Sequence, residues 1–550
     1  MTKATAHAES GGLGRASALL ASGTLVSRLL GFVSAMVLAQ TLGTKTVGGN
    51  TFALANQLPN NIYAIVAGGV LSAVLVPQIV RANLHTDGGQ RFINRIVTLG
   101  TVVFLGAAVI ATVCAPLLVR LYAQPAGSDG RGLTPEEIGL ATAFAYWCLP
   151  QILFYALYSL LGEVLNARRV FGPFTWAPVL NNVVAIAGLV AFNVIFGSTD
   201  RLDATGWTPG MVTLLAGSAT LGVAAQALVL FLFWRKAGLR YRPEFQWRGV
   251  GLGRVGKAAG WTFGMLLVSQ LAGIVQSQVA TGAGTDDASV FILRNAWLIF
   301  MLPHSIVTVS IATAYFTRMS THARDRNMDG VRHDLSASLR TIGLIMVFAT
   351  VVLIVVAYPF STFFSENLDE TTAMGNVLVA YLAGLISFTV LFVLQRTFYS
   401  LEDTRTPFFI QVAQSALFVV GALAVAGLPQ DQIAVGIAVV TTIAGTVQML
   451  IAGVVLRKRL GGIDGRRVIR QYLIYLLACI PAVAAGVAVT SSLGGFSGGF
   501  AVSGYAPAVI TMGIVGTVML FIYVLVLGLL RTPELRALVA PVASRLRGRS

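Results

Sequence analysis

Apolar runs long enough to cross a bilayer recur along almost the whole of this chain, and they restrict its fold before any motif is read. A hydrocarbon core about 30 Å thick takes roughly 20 residues of helix. Charge is correspondingly sparse. Only 11% of the 550 residues are charged, against about a quarter in a soluble domain. The first sixteen or so residues are polar and carry Lys3, Glu9 and Arg15. The apolar run behind them lacks a small-residue cleavage site and is read as the first spanning helix, not as a removed leader.

Windows of about 19 residues place spans at 17–43, 51–80, 94–123, 139–166, 174–196, 210–234 and 259–281. The series continues at 289–317, 337–364, 375–400, 407–428, 432–456, 470–491 and 504–530. Loop charge tests this count of about fourteen. Loops on the side of the N-terminus carry Arg81, Arg91 and Arg95, then Arg168 and Arg169, then the group from Arg235 to Lys257. The same side holds Arg318 to Arg340, Arg405, Arg457 to Arg467 and the tail from Arg531 to Arg549. Opposite loops hold only Lys45, Arg120, Arg131 and Arg201 beside acids such as Glu136, Glu137, Asp286 and Glu366. Strict alternation of this kind follows the positive-inside rule, so the count is even and both termini are expected in the cytoplasm. The net charge of +16 is thereby explained by a basic face toward anionic headgroups, and no nucleic-acid module accompanies it.

The two halves resemble each other in order. Leu58-Pro59-Asn60-Asn61-Ile62 in the second span matches Leu302-Pro303-His304-Ser305-Ile306 in the eighth. Gly172-Pro173-Phe174 before the fifth matches Thr406-Pro407-Phe408 before the eleventh. An offset of six spans keeps both copies in one orientation, the parallel-repeat arrangement of transporters. The expected fold is all-α and polytopic. A cytoplasmic tail 1–16 precedes pseudo-symmetric six-helix lobes at 17–245 and 246–460. Two further helices occupy 461–531, and a basic tail follows at 532–550. Substrate is expected between the lobes, with access alternating as one lobe rocks against the other.

Polar residues inside the spans are the candidate site. Arg28 lies about halfway along the first span, where an arginine costs roughly 2.5–3.5 kcal/mol to insert. A guanidinium there calls for a cavity, a partner or an anionic ligand such as phosphate; the alternative is snorkelling to the interface. Arg294 sits early in the eighth span, as an interfacial anchor or a cavity residue. Asn56, Gln57, Asn60 and Asn61 line the second span, placed for substrate amides and sugars or for bonds between helices. Cys114, Cys148 and Cys479 form no C-x-x-C pair and read as core packing, and the five histidines form no metal pattern. Neither a metal nor a cofactor is expected. No Walker loop, catalytic triad or nucleophile elbow points to an enzyme.

Three segments resemble the signatures of the MurJ/MviN lipid II flippase family. They are Ser27-Arg28-Leu29-Leu30-Gly31-Phe32; Leu165-Asn166-Ala167-Arg168 with Ala177-Pro178-Val179-Leu180-Asn181-Asn182; and Arg396-Thr397-Phe398-Tyr399 with Asp403-Thr404-Arg405-Thr406-Pro407. The resemblance implies the fold of the MOP exporter superfamily. It implies a multi-pass protein of the bacterial inner membrane that moves lipid II to the outer leaflet. Lipid II is a disaccharide-pentapeptide on undecaprenyl pyrophosphate. The resemblance also implies a central cationic cavity, a groove for the lipid tail at the last two helices, and a pyrophosphate-holding role for Arg28. Ser27, Asn56, Gln57, Asn60 and Arg294 complete the expected substrate site. Membrane lipids are expected partners, and cell-wall synthesis and division proteins are further candidates.

Departures from the family pattern are specific. Ser34 and Ala35 stand where a charged pair is common, Tyr63 and Ala64 replace an arginine pair, Gly68 replaces a glutamate, and Leu298 replaces an arginine. Arg294 lies one turn from Leu298. The pattern resembles the actinobacterial branch, and no acid for a sodium site is found in the seventh span. Other readings are a flippase for another lipid-linked oligosaccharide, a multidrug exporter on the same fold, a membrane glycosyltransferase, or a scaffold for division proteins.

Overall fold

The computed structural model describes residues 3–68, 89–128, 130–168, 170–197, 203–246, 252–285, 287 and 289–537, excepting the side chains of 3–21, 66–68, 171 and 252–259. Among these residues the secondary structure is helical, and the one bridge pairs Pro125 with Leu133. Among the described residues, twelve helices are long and apolar enough to cross a membrane, and a bent pair taken as one span makes a thirteenth. The second predicted span coincides with helix Val47–Gly68, and its remainder at 69–80 lies outside the described residues. So do Arg81, Arg169, Arg201, Asp286 and the end of the basic tail. The predicted polar tail is a helical extension, because the first helix begins at Lys3.

Two compact units divide the chain at Phe291/Ile292. The first contains α1 (Lys3–Leu42), α2 (Val47–Gly68), α3 (Gln90–Val113), α4 (Ala115–Tyr122) and α5 (Pro135–Cys148). It continues with α6 (Gln151–Ala167), α7 (Phe171–Phe196), α8 (Pro209–Leu228) and α9 (Leu252–Thr281). The core aromatics interlock edge to face, Phe52 on Phe144 at 5.5 Å and Phe144 on Trp207 at 5.3 Å. Between α7 and α8 the backbones approach closely at two glycines. A Cβ on Gly188 would lie 2.3 Å from the Ser218 side chain, and one on Gly222 would lie 2.5 Å from Asn181 Oδ1.

The sequence repeat predicts α9 in a second lobe beginning at 246, whereas the compact units divide after residue 291. The C-terminal end of α9 and the loop behind it are stitched to the first unit. Gln278 donates to the Leu121 carbonyl (2.9 Å), and the Gln124 N–H donates to Thr281 (2.8 Å). Asn50 near the start of α2 bonds both ways, donating to the Thr285 carbonyl and accepting from the Phe291 N–H, each at 3.2 Å. Thr285 in turn donates to buried Glu137 at 2.7 Å. Glu137 is fixed by a capping box with Thr134 at the start of α5. These hydrogen bonds record what the helix packs against.

In the second unit, α10 (Val290–Pro303) passes through one π-helical turn at His304–Thr308 into α11 (Val309–Arg324). Pro303 lacks the N–H an α-helix needs, and a wider turn behind a proline is a common accommodation. There follow α12 (Met328–Val355), α13 (Ala357–Ser361), α14 (Leu368–Leu382) and α15 (Leu385–Ser400). Between α14 and α15 the axis bends by 41°. At the bend the Gly384 N–H bonds Tyr381 rather than Ala380, and the Thr442 hydroxyl supplies the Ala380 carbonyl with a donor at 2.8 Å. A kink inside a membrane needs such a substitute donor. Thr442 belongs to α17 (Gln430–Leu460), which packs beside α16 (Arg405–Val425).

The last two helices, α18 (Gly465–Ser492) and α19 (Tyr505–Leu529), dock on α12 through tyrosine hydroxyls. Tyr472 donates to the Leu339 carbonyl at 3.0 Å and Tyr523 to the Leu344 carbonyl at 2.8 Å. Beyond α19, Glu534 pairs with Arg340 of α12 at 2.6 Å, both side chains nearly buried, and accepts a bond from Gln471.

Candidate functional site

The signature segments meet in space. On α7, Asn182 donates through Nδ2 to the Ser27 carbonyl of α1 at 2.9 Å. A Cβ on Gly31 would lie 3.6 Å from the same Asn182 side chain. Asn181 meanwhile faces Gly222 of α8. Asn182 thus ties α7 to α1, and Asn181 packs against α8. Arg28 projects from α1 next to this anchor, exposed and without an ion pair among the described residues. An exposed guanidinium held at mid-helix by fixed backbone is able to receive an anion bidentately.

The polar stripe of α2 is divided among its neighbours. Asn56 accepts from Gln151 of α6 at 3.4 Å, and Gln151 also donates to Thr220 of α8 at 2.9 Å. Gln57 donates to Ser277 of α9 at 3.1 Å, and Asn61 bonds the Tyr122 hydroxyl. Asn56 and Gln57 therefore hold helices together, as polar groups in membranes do, while Asn60 is exposed. Arg294 is exposed on α10, in the second unit. Of the six expected site residues, Ser27 and Arg28 share α1, and Asn56, Gln57 and Asn60 share α2.

A third signature closes the turn between α15 and α16. Asp403 accepts from the Thr406 N–H at 3.0 Å and pairs with Arg459 at the end of α17. Burial pushes its carboxyl upward, but bonds from the Thr406 side chain and backbone, Arg459 and the Arg405 N–H outweigh this, so Asp403 ionises below its ordinary range. The Asp-Thr-Arg-Thr-Pro run is thus a helix start locked to another helix.

Two cavities open beside these elements. In the first unit, about 410 Å³ opens among Tyr63, Tyr155, Tyr158 and Phe174, with Glu163, Asn166 and Gln226 on its wall. Its sequence signal is legible in retrospect. Tyr155, Tyr158, Ser159, Gly162, Glu163 and Asn166 recur at helical spacing down one face of α6. In the second unit a groove of about 910 Å³ is walled by α15, α17 and α18, with Ile386, Leu450, Val454 and Leu473 along it and Arg457 and Arg466 at one end. Among the described residues its lining includes none from α19, although the groove was expected at the last two helices. No cluster of three or more metal-ligating side chains occurs among the described residues.

The family model described as "Lipid II flippase MurJ" matches residues 38–511. Among curated proteins, the probable lipid II flippase MurJ of Haemophilus influenzae is 26% identical over 405 residues, 70% of this chain and 75% of that protein. The corresponding Vibrio cholerae protein is 26% identical over 402 residues, 70% of this chain and 72% of that one. Among solved structures, a lipid II flippase MurJ in an inward closed conformation superposes with a TM-score of 0.69. It is 18% identical and covers 94% of this chain and 100% of its own. An inward-facing multidrug-resistance MATE transporter of the MOP superfamily superposes at 0.60 with 16% identity, covering 80% of this chain and 96% of its own, a likeness of fold. A family match over most of the length, with its signatures in mutual contact, settles the kinship: this chain is a multi-pass membrane transporter and belongs to the lipid II flippase MurJ family.

Proposed function

We propose that this chain carries lipid II from the cytoplasmic to the outer leaflet of the inner membrane by alternating access, with Arg28 holding the pyrophosphate and both termini in the cytoplasm. The observation that carries the site is Arg28 itself, an exposed mid-helix cation without an ion pair among the described residues. Ser27 and Asn60 of the first unit, and Arg294 of the second, are the further residues assigned to the headgroup, and Asn56 and Gln57 tie α2 to its neighbours. The lobes are 17–245 and 246–460, with α9 riding on the first at its outer end. The apolar groove beside α18 takes the lipid tail, and its basic end at Arg457 and Arg466 suits the neighbourhood of phosphate. An inside-negative potential favours outward movement of an anion by about 2.3 kcal/mol per charge per 100 mV. Proteins of cell-wall synthesis and division are the candidate protein partners.

The test is rescue of cells depleted of their own lipid II flippase, with outer-leaflet lipid II measured directly. The parent chain restores it. Arg28→Ala at matched expression lowers transport at least about tenfold, the weight of one charge-assisted contact of roughly 1.5–3 kcal/mol. Equal rescue by Arg28→Ala removes the arginine from the mechanism. Failure of both in a host that inserts them correctly overturns the substrate assignment.

A further inference from the structure

The cavity of about 410 Å³ in the first unit plays no role in the steps above, yet it is built like a binding site. Three tyrosine rings and one carboxylate converge on it, and among the described residues no lysine, arginine or histidine lines it. Glu163 is half-buried, faces Tyr63, and has no basic partner among the described residues. It sits near the C-terminal end of α6, where the helix carbonyls already supply partial negative charge. A carboxylate placed there in a spanning helix is costly unless a cation joins it.

The walls specify which cation. Tyr63 and Tyr155 stand 6.0 Å apart and tilted by 38°, an aromatic surface whose negative faces attract positive charge. Tyr63 is steadied by a hydrogen bond with Ser159, and Tyr158 by donating to the Phe174 carbonyl at 2.9 Å. Glu163 together with the amide oxygens of Asn166 and Gln226 offers several acceptors, enough for the three N–H donors of a primary ammonium. The volume falls in the small-molecule range of roughly 300–1,000 Å³, far above that of a bare ion. We propose that the cavity of Tyr63, Tyr155, Tyr158 and Glu163 binds the primary ammonium group of an organic cation. That ammonium belongs either to a free amine or to an amine on the transported molecule; the second source rests on the flippase reading.

Binding is measured on the full chain in nanodiscs, by titrating tyrosine fluorescence with n-propylammonium and, as a neutral control, n-propanol. The expected result is saturation by the ammonium and none by the alcohol. Glu163→Gln weakens binding about tenfold or more, the loss of a charge-assisted bond. Tyr155→Leu weakens it too, whereas Tyr155→Phe, which keeps the ring face, retains it. Absence of saturation in natively eluting parent protein, or equal binding by Glu163→Gln, overturns the proposal. The source is read by competition, using a lipid-linked sugar-peptide with lysine and the same molecule acetylated at Nε. Displacement of n-propylammonium by the free-amine form alone places the ammonium on the transported molecule; displacement by neither leaves the free amine as the ligand. Amine binding that persists while lipid II transport is absent counts against the flippase reading alone.

Discussion

Asp403 shows how a single carboxyl can fix a turn and record pH. Its ionised form is favoured by Thr406, Arg459 and the Arg405 N–H, and its ionisation lies below the ordinary carboxylate range. A carboxyl depressed on folding stabilises the native state above its unfolded value of about 3.9, and that stabilisation disappears as pH falls through the folded value. Thermal stability should therefore hold from neutral pH to about 4 and drop below it. Asp403→Asn should start lower at neutral pH and lose less on acidification. A variant curve parallel to the parent's would remove Asp403 from the acid response. Arg28 belongs to the same scale, since its charge and not its packing is the proposed contribution; Arg28→Lys should retain part of the transport that Arg28→Ala loses.

At the scale of elements, the clamp on the C-terminal end of α9 is the feature most exposed to test. Asn50 holds both ends of the loop from Thr285 to Phe291, and Glu137 holds the Thr285 hydroxyl. Any excursion that frees the C-terminal end of α9 must break these bonds together. Asn50→Ala should raise the rate at which an impermeant maleimide modifies an Ala283→Cys reporter by about fivefold, the effect of one lost buried bond of ~1 kcal/mol. An unchanged rate would show that the clamp does not limit opening. On the other unit, α12 and α18 approach so closely at Gly343 that a Cβ there would lie 2.6 Å from the Tyr472 ring. Gly343→Leu should cost about 1–3 kcal/mol by overpacking, visible as a lowered melting temperature.

For the whole molecule, the proposed lipid-tail path is tested at the groove beside α18. Gly453 lines it with only Leu394 near, 3.8 Å from a Cβ placed there. Gly453→Trp should fill part of the groove and reduce lipid transport while helical content and insertion stay as in the parent. Transport at the parent's rate would place the lipid tail elsewhere.

Much of this was legible in the chain. The polytopic all-helical build and the family signatures follow from hydropathy and local motif, because in a bilayer each helix satisfies its own backbone and announces itself by length. The signatures even marked residues in contact, Ser27 with Asn182 and Asp403 with its capping partners. What the sequence could not assign was allegiance between helices. Asn56 and Gln57 look alike in the chain, yet one reaches α6 and the other α9. The packing of α9 on the first unit and the cavity at Glu163 arise from side chains far apart in sequence. Periodicity reports which face of a helix is polar; only the packed structure decides what that face meets, because the partners are supplied by other helices.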